Sequence, residues 1–257
     1  MTGGPSNPIQ YKQLHPSLQF IILIGLLIFA LFAGSIFGAA IIKFLYGDDT
    51  LTNVFLGNLT GSHVRSALWI LQFWGTTLPI IAAPVFFSYV IVHEPDNYLK
   101  TNFNFSWLFI VLVLAIIMAS NPIMEFLGNI NEKMVLPRSL NGLQQWMRQS
   151  EDDTKKLSDM MMQMGTIWNM IFDLLFIGLL TAIVEETLFR GCLQTILIKW
   201  FKNKHVAIWV GAILFSAFHM EFFGFLPRLM LGVLFGYFAA WSGSVWPGIW
   251  GHFVNNG

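Results

Sequence analysis

The chain of 257 residues is 55% hydrophobic and 11% charged, carries 14 basic and 14 acidic residues, and has a mean hydropathy of +0.63. A soluble domain carries about 25% charged residues, so a water-soluble globular class is excluded, and with no basic tract, nucleic acid is not expected as a partner. Its apolar residues fall in long runs, which specifies an all-α polytopic membrane protein with the lipid bilayer as its first partner.

A membrane-crossing helix needs about 20 mostly apolar residues. The first run, from Leu18 past Ile41, is too long for a signal-peptide core and lacks a small-residue cleavage site, so it is expected to stay as a helix. In chain order the predicted spans are 18–45, 66–92, 106–126, 167–189, 205–222, 226–241 and 244 to the end, a bundle of about seven to eight helices. Asn121-Pro122 predicts a kink or early exit in the third span. Pro227 and Arg228 sit in a tight turn between the fifth and sixth. The last run, from Ser244, covers only about 20 Å at 1.5 Å per residue, against about 30 Å of hydrocarbon, so this helix is expected to be unfinished. Residues 127–165 are polar instead. Leu140, Leu143, Trp146 and Met147, then Leu157, Met160, Met161 and Met164, recur at helical spacing and predict an amphipathic connector lying on the membrane surface. The methionine stripe reads as packing. The division is then 1–126 for the N-terminal membrane helices, 127–165 for the connector and 166–257 for a C-terminal helical core. Lys199, Lys202 and Lys204 form a short basic loop, which predicts that this loop and the N-terminus, with Lys12, face the cytoplasm.

A charge at bilayer depth costs about 2.5–3.5 kcal/mol on insertion scales, so it needs a partner or a function. The first three spans hold few ionisable groups, mainly Lys43 and Glu125 near their ends. The C-terminal half holds a cluster: Glu185, Glu186 and Arg190 on the fourth span, His219 on the fifth, His252 and Asn256 on the seventh. Glu186 and Arg190 stand at i, i+4 in the favourable acid-first order. Glu185 is about 100° around the helix and cannot share that arginine equally. One carboxylate is thus neutralised and the other left over, as general-base chemistry on water requires. His252 and Asn256 share a face. An imidazole can hold a water or a metal, and an amide can donate to an oxyanion. Singly, each of these reads as a structural contact; together, on three apolar helices, they specify a site. Asp173, Glu221 and Arg228 read as structural or interfacial, and Cys192 as a packed small hydrophobe. A lone cysteine leaves no intramolecular disulfide.

These residues resemble the CPBP family of intramembrane proteases, which includes CAAX prenyl proteases and bacteriocin-processing enzymes and is also called the Abi family. The EExxxR motif is Glu185-Glu186-Thr187-Leu188-Phe189-Arg190, followed by Gly191; FxxxH runs from Phe215 to His219 and HxxxN from His252 to Asn256. The resemblance covers about residues 167–257. It implies an endopeptidase that hydrolyses a membrane-associated, prenylated or bacteriocin-type peptide or protein with glutamate-activated water. Glu185 would be the base, Glu186 the partner of Arg190, His219 the holder of the water, and His252 with Asn256 the oxyanion donors. It also implies a cavity open to the cytosolic side. No cofactor is expected. A zinc-dependent version would use Glu185, His219 and His252 as ligands, although no HExxH is present. A non-catalytic scaffold and an ion-coupled transporter are the alternatives; the transporter would also bury Glu and His, but no internal repeat is visible.

Overall fold

The computed structural model describes residues 13–162 and 165–256. Lys12, Met164 and Gly257, which enter the expectations above, lie outside them. The described chain is helical throughout its ordered elements, as a chain must be when lipid offers its backbone no hydrogen bonds. It is an all-α, multi-pass integral membrane protein.

Helix α1 (Pro16–Phe55) opens with proline in its first turn, where a missing N–H costs nothing. It breaks at Gly47, whose φ of 82° suits glycine, so the membrane portion ends near Tyr46. Helix α2 (Val64–Ile91) carries Pro79 and Pro84 and contains two π-helical stretches, Gln72–Thr77 and Phe87–Ile91. It meets α1 backbone to backbone: a Cβ on Gly34 would fall 2.1 Å from the Trp74 carbonyl oxygen. Small residues permit such approaches between membrane helices. The short α3 (Pro95–Leu99) follows. Helix α4 (Trp107–Glu132) continues past Pro122, so the predicted early exit does not occur. One lost ladder bond is outweighed by the continuous helix on both sides of it.

Helix α5 (Asn141–Met161) is the predicted amphipathic connector. Its Leu157, Met160 and Met161 pack against a cluster of Ile42, Val54, Val64, Ala67 and Leu68, so the methionine stripe is packing. Helix α6 (Ile167–Phe201) is longer than the predicted 167–189, because two π-helical stretches, Leu174–Leu180 and Thr187–Leu193, lie in line with its α-helical parts. It stops at Lys202, which is left-handed with φ 53°. Helix α7 (Lys204–Phe218) starts on the Asn203 side chain, which accepts from the backbone N–H groups of His205 and Val206. Helix α8 (Phe225–Ser242) ends at Gly243, φ 67°, and α9 (Trp246–Asn256) closes the described chain. Among the described residues α1, α2, α4, α6 and α8 are long and apolar enough to cross a membrane, and α7 is a shorter apolar helix. With α7 and the 11-residue α9 they form a multi-pass helical bundle among the described residues.

The traverses alternate, so the loops sort to two ends. At one end the 100–102 segment bonds to 243–246: Val245 N–H donates to the Lys100 carbonyl and Ser244 Oγ to that of Asn102. Lys199 reaches the Tyr98 hydroxyl at 2.9 Å there. At the other end α5 lies across the 219–224 turn. Phe223 N–H donates to Glu151 Oε1, Arg148 sits 4.0 Å over the Phe223 ring, and Arg65 donates to the Met161 carbonyl.

Candidate active site

Glu185 and Glu186 occupy the middle of α6, just before its second π-helical stretch, and are 7% and 0% exposed. Arg190 Nη1 lies 2.9 Å from Glu186 Oε1, an ion contact off the hydrogen-bond axis, while Nη2 donates to the Gly232 carbonyl of α8. The guanidinium also lies 4.3 Å over the Phe215 ring. An arginine here is held from three sides, by an acid, a carbonyl and an aromatic face, as its planar fork allows.

The predicted pairing of Glu186 is extended by a contact that spacing did not reveal. His252 Nδ1 lies 3.1 Å from Glu186 Oε1. Its ring stacks on Phe235 at 5.0 Å and 16°. His219 Nδ1 lies 2.9 Å from the Phe215 carbonyl oxygen, four residues back along its own helix. A carbonyl can only accept, so His219 Nδ1 carries a hydrogen. An ionised Glu186 demands the same of His252 Nδ1. Both Nε2 atoms then turn toward Glu185 Oε2, at 3.7 Å for His219 and 3.9 Å for His252. That oxygen has no hydrogen-bond partner among the described residues.

Phe215 and Phe235 are the residues the sequence reading missed as site builders. Phe215 packs against His219, His252 and Arg190. The FxxxH spacing carried a signal for it, since i, i+4 puts ring and imidazole on one face. Nothing local marked Phe235, which comes from α8.

A cavity of about 420 Å³ opens on this group, lined by Thr181, Glu185, His219, Arg228, His252 and Asn256 among others. All six predicted residues are therefore in one neighbourhood, but not in one layer. Glu186 and Arg190 lie behind the wall. Asn256 is exposed at the end of α9 and reaches the cavity from its rim. Glu221 and Arg228 form an ion pair, in keeping with a structural reading. Asp173 forms no such pair: among the described residues its two carboxylate oxygens are buried without a hydrogen-bond partner. Cys192 is fully buried, a packed small side chain.

A tetrahedral zinc ion, with ligands about 2.0–2.1 Å away, would bring its ligand atoms to roughly 3.3 Å from one another. The 3.7 and 3.9 Å separations are wider than that, and among the described residues no group of three His, Cys, Asp or Glu forms a metal-holding set. As they stand, the residues do not fit a three-ligand zinc cage.

The geometry also corrects one expectation. His219 and Asn256 are at the end of the bundle where α5 lies, whereas Lys199, Lys202 and Lys204 are at the opposite end. A cytoplasmic lysine loop and a cytoplasmic cavity therefore exclude each other.

Residues 167–257 match the family model described as type II CAAX prenyl endopeptidase Rce1-like. This C-terminal part of the chain is similar to that family. The matched segment holds all six candidate residues and starts at the first residue of α6. A curated relative, "Uncharacterized protein YpbD" of Bacillus subtilis (strain 168), is 29% identical over 85 residues, 32% of this chain and 40% of that protein. The chain thus spans about two fifths of the length of the curated relative it matches. No solved structure matches it.

Proposed function

We propose that the protein is an intramembrane endopeptidase that cuts a membrane-associated peptide with water activated by Glu185. The observation that carries this reading is the convergence of two imidazole Nε2 atoms on an unpartnered glutamate oxygen in a cavity wall. Three acceptors face one another there. A water placed among them can donate to two of the three.

Hydrolysis then follows from the positions. Water bound to Glu185 and His219 gives a proton to Glu185 as its oxygen bonds to the peptide carbonyl carbon. The oxyanion is met by the Asn256 amide at the rim and by His252 when both its nitrogens carry hydrogen. When the C–N bond breaks, Glu185 returns the proton to the leaving nitrogen. Glu186 and Arg190 position His252 and take no proton. No metal enters this sequence. The substrate class we favour is the one named for the matched family, a prenylated or otherwise membrane-anchored chain.

We also propose that the cavity end faces the cytoplasm. Lys43, Arg65, Lys133, Arg138, Arg148, Lys155, Lys156 and Arg228 lie toward that end, against Lys100, Lys199, Lys202 and Lys204 at the other. Basic residues, not net charge, set orientation.

The test is cleavage of a library of lipid-anchored peptides by the purified protein in nanodiscs, with products identified by mass spectrometry. Wild type is expected to cut. Glu185→Gln and His219→Ala are expected to lose about 10²-fold or more, and a chelator is expected to leave wild type active. Equal cleavage by wild type and Glu185→Gln would overturn the reading.

A further inference from the structure

Asp173 is the buried acid that the proposed chemistry leaves unused. It lies on α6, 3% exposed, and neither oxygen has a hydrogen-bond partner among the described residues. On the same helix Glu186 meets Arg190 and His252, and Glu185 faces two imidazoles at 3.7 and 3.9 Å. An ionisable group inside a membrane protein without a partner marks a function.

Its surroundings say which. Asp173 lines a cavity of about 230 Å³ with Met170, Ile177, Gly178 and Asn256, and among the described residues no basic one lines it. Ile177 and Asn256 also line the cavity that holds Glu185. The two spaces thus adjoin along one face of α6, through Asp173, Ile177, Thr181 and Glu185 at successive i, i+4 steps. Met162 joins Asp173's cavity to a groove under α5 lined by Glu151, Asp152, Asp159 and Glu221, with Lys155 as its one basic residue. The approach is acidic and ends on an unpaired carboxylate.

We propose that Asp173 is a specificity-determining residue that receives a lysine or arginine side chain of the substrate. Twelve residues of helix at about 1.5 Å each separate it from Glu185 by about 18 Å, and an extended peptide covers about 3.3 Å per residue. The cation therefore belongs about five residues from the bond that is cut. An incoming ammonium or guanidinium supplies the partner that the fold withholds, and a neutral residue at that position leaves the carboxylate buried and unpaired.

The proposal rests on the endopeptidase reading, and the experiment separates the two. Lipid-anchored peptides in nanodiscs, identical except for Lys, Ala or Glu at each position four to six residues from the cut, are given to wild type, Asp173→Asn, Asp173→Lys and Glu185→Gln. Wild type is expected to prefer Lys over Ala by about tenfold in kcat/KM at one of these positions. The ratio is expected to fall to about one in Asp173→Asn, through KM, and to turn toward Glu in Asp173→Lys. No preference in wild type, or the same preference in Asp173→Asn, overturns the proposal while leaving the protease standing. Thermal unfolding is a second check. Asn replaces an unpartnered charge, so Asp173→Asn is expected to unfold no lower than wild type. A lower midpoint would mean a partner within the fold and would overturn the proposal. Cleavage that survives in Glu185→Gln, or none by wild type, removes the endopeptidase reading and this proposal with it.

Discussion

Replacing Arg190 by methionine keeps most of its volume and removes its charge. The guanidinium is buried, with its side chain 3% exposed beside a fully buried Glu186. Its loss leaves the Glu186 carboxylate with His252 Nδ1 as the remaining contact and frees the Gly232 carbonyl. Breaking a buried pair from one side costs about 3–5 kcal/mol. His252 remains beside Glu186 and offsets part of this, so the lower end, about 3 kcal/mol, is expected. For a chain of this size 1 kcal/mol moves the unfolding midpoint by about 2–4 °C, which gives a drop of roughly 6–12 °C. The assay is intrinsic tryptophan fluorescence on heating in detergent, since the chain carries 10 Trp. The informative comparison is with the double variant Glu186→Gln/Arg190→Met, which no longer buries the bare carboxylate and should recover at least half of the loss. Arg190→Lys should not rescue, because one ammonium cannot reach both Glu186 and the Gly232 carbonyl in the guanidinium's plane. If the double variant melts at or below Arg190→Met, the pair is not coupled and the reasoning fails.

Gly248→Ala would put a Cβ 2.8 Å from Glu186 Oε2; displacement of that carboxylate should lower peptide cleavage by about tenfold or more, whereas Gly128→Ala, with open space around its Cβ, should change nothing. Lys100 lies in the loop between α3 and α4, and burial, with Lys199 nearby, lowers its pKa from 10.5 to about 8. Between those values the unfolded chain holds more protons, so stability should rise with pH across pH 8–10.5, by at most about 3 kcal/mol for this half-buried group. Melting curves of Lys100→Met should show a flatter rise and a higher midpoint at pH 7. Orientation is testable because Cys192, the single cysteine, is buried. In intact cells Lys202→Cys should react with an impermeant maleimide and Asp153→Cys should not; the reverse pattern would place the cavity outside.

Much of the site was legible because its signals are local. Glu186 with Arg190, Phe215 with His219 and His252 with Asn256 are all i, i+4 pairs, and helical geometry alone places each pair on one face. The end at which the cavity opens was also available: counting traverses sends His219 to the end opposite Lys199. The passage of α4 through Pro122 was not legible, since a proline's local penalty is set against the packing of the whole helix.

By itself the sequence determined that the chain enters the membrane as helices, because lipid leaves every backbone group to be satisfied within its own segment, and which short-range pairs its charged residues form. The tertiary structure alone decided the rest. It set His252 against Glu186, 66 positions away, and aimed two imidazoles at the one oxygen of Glu185. It also left Asp173 buried with no hydrogen-bond partner among the described residues. Such contacts depend on how separate helices dock, through side-chain packing that has no period along the chain.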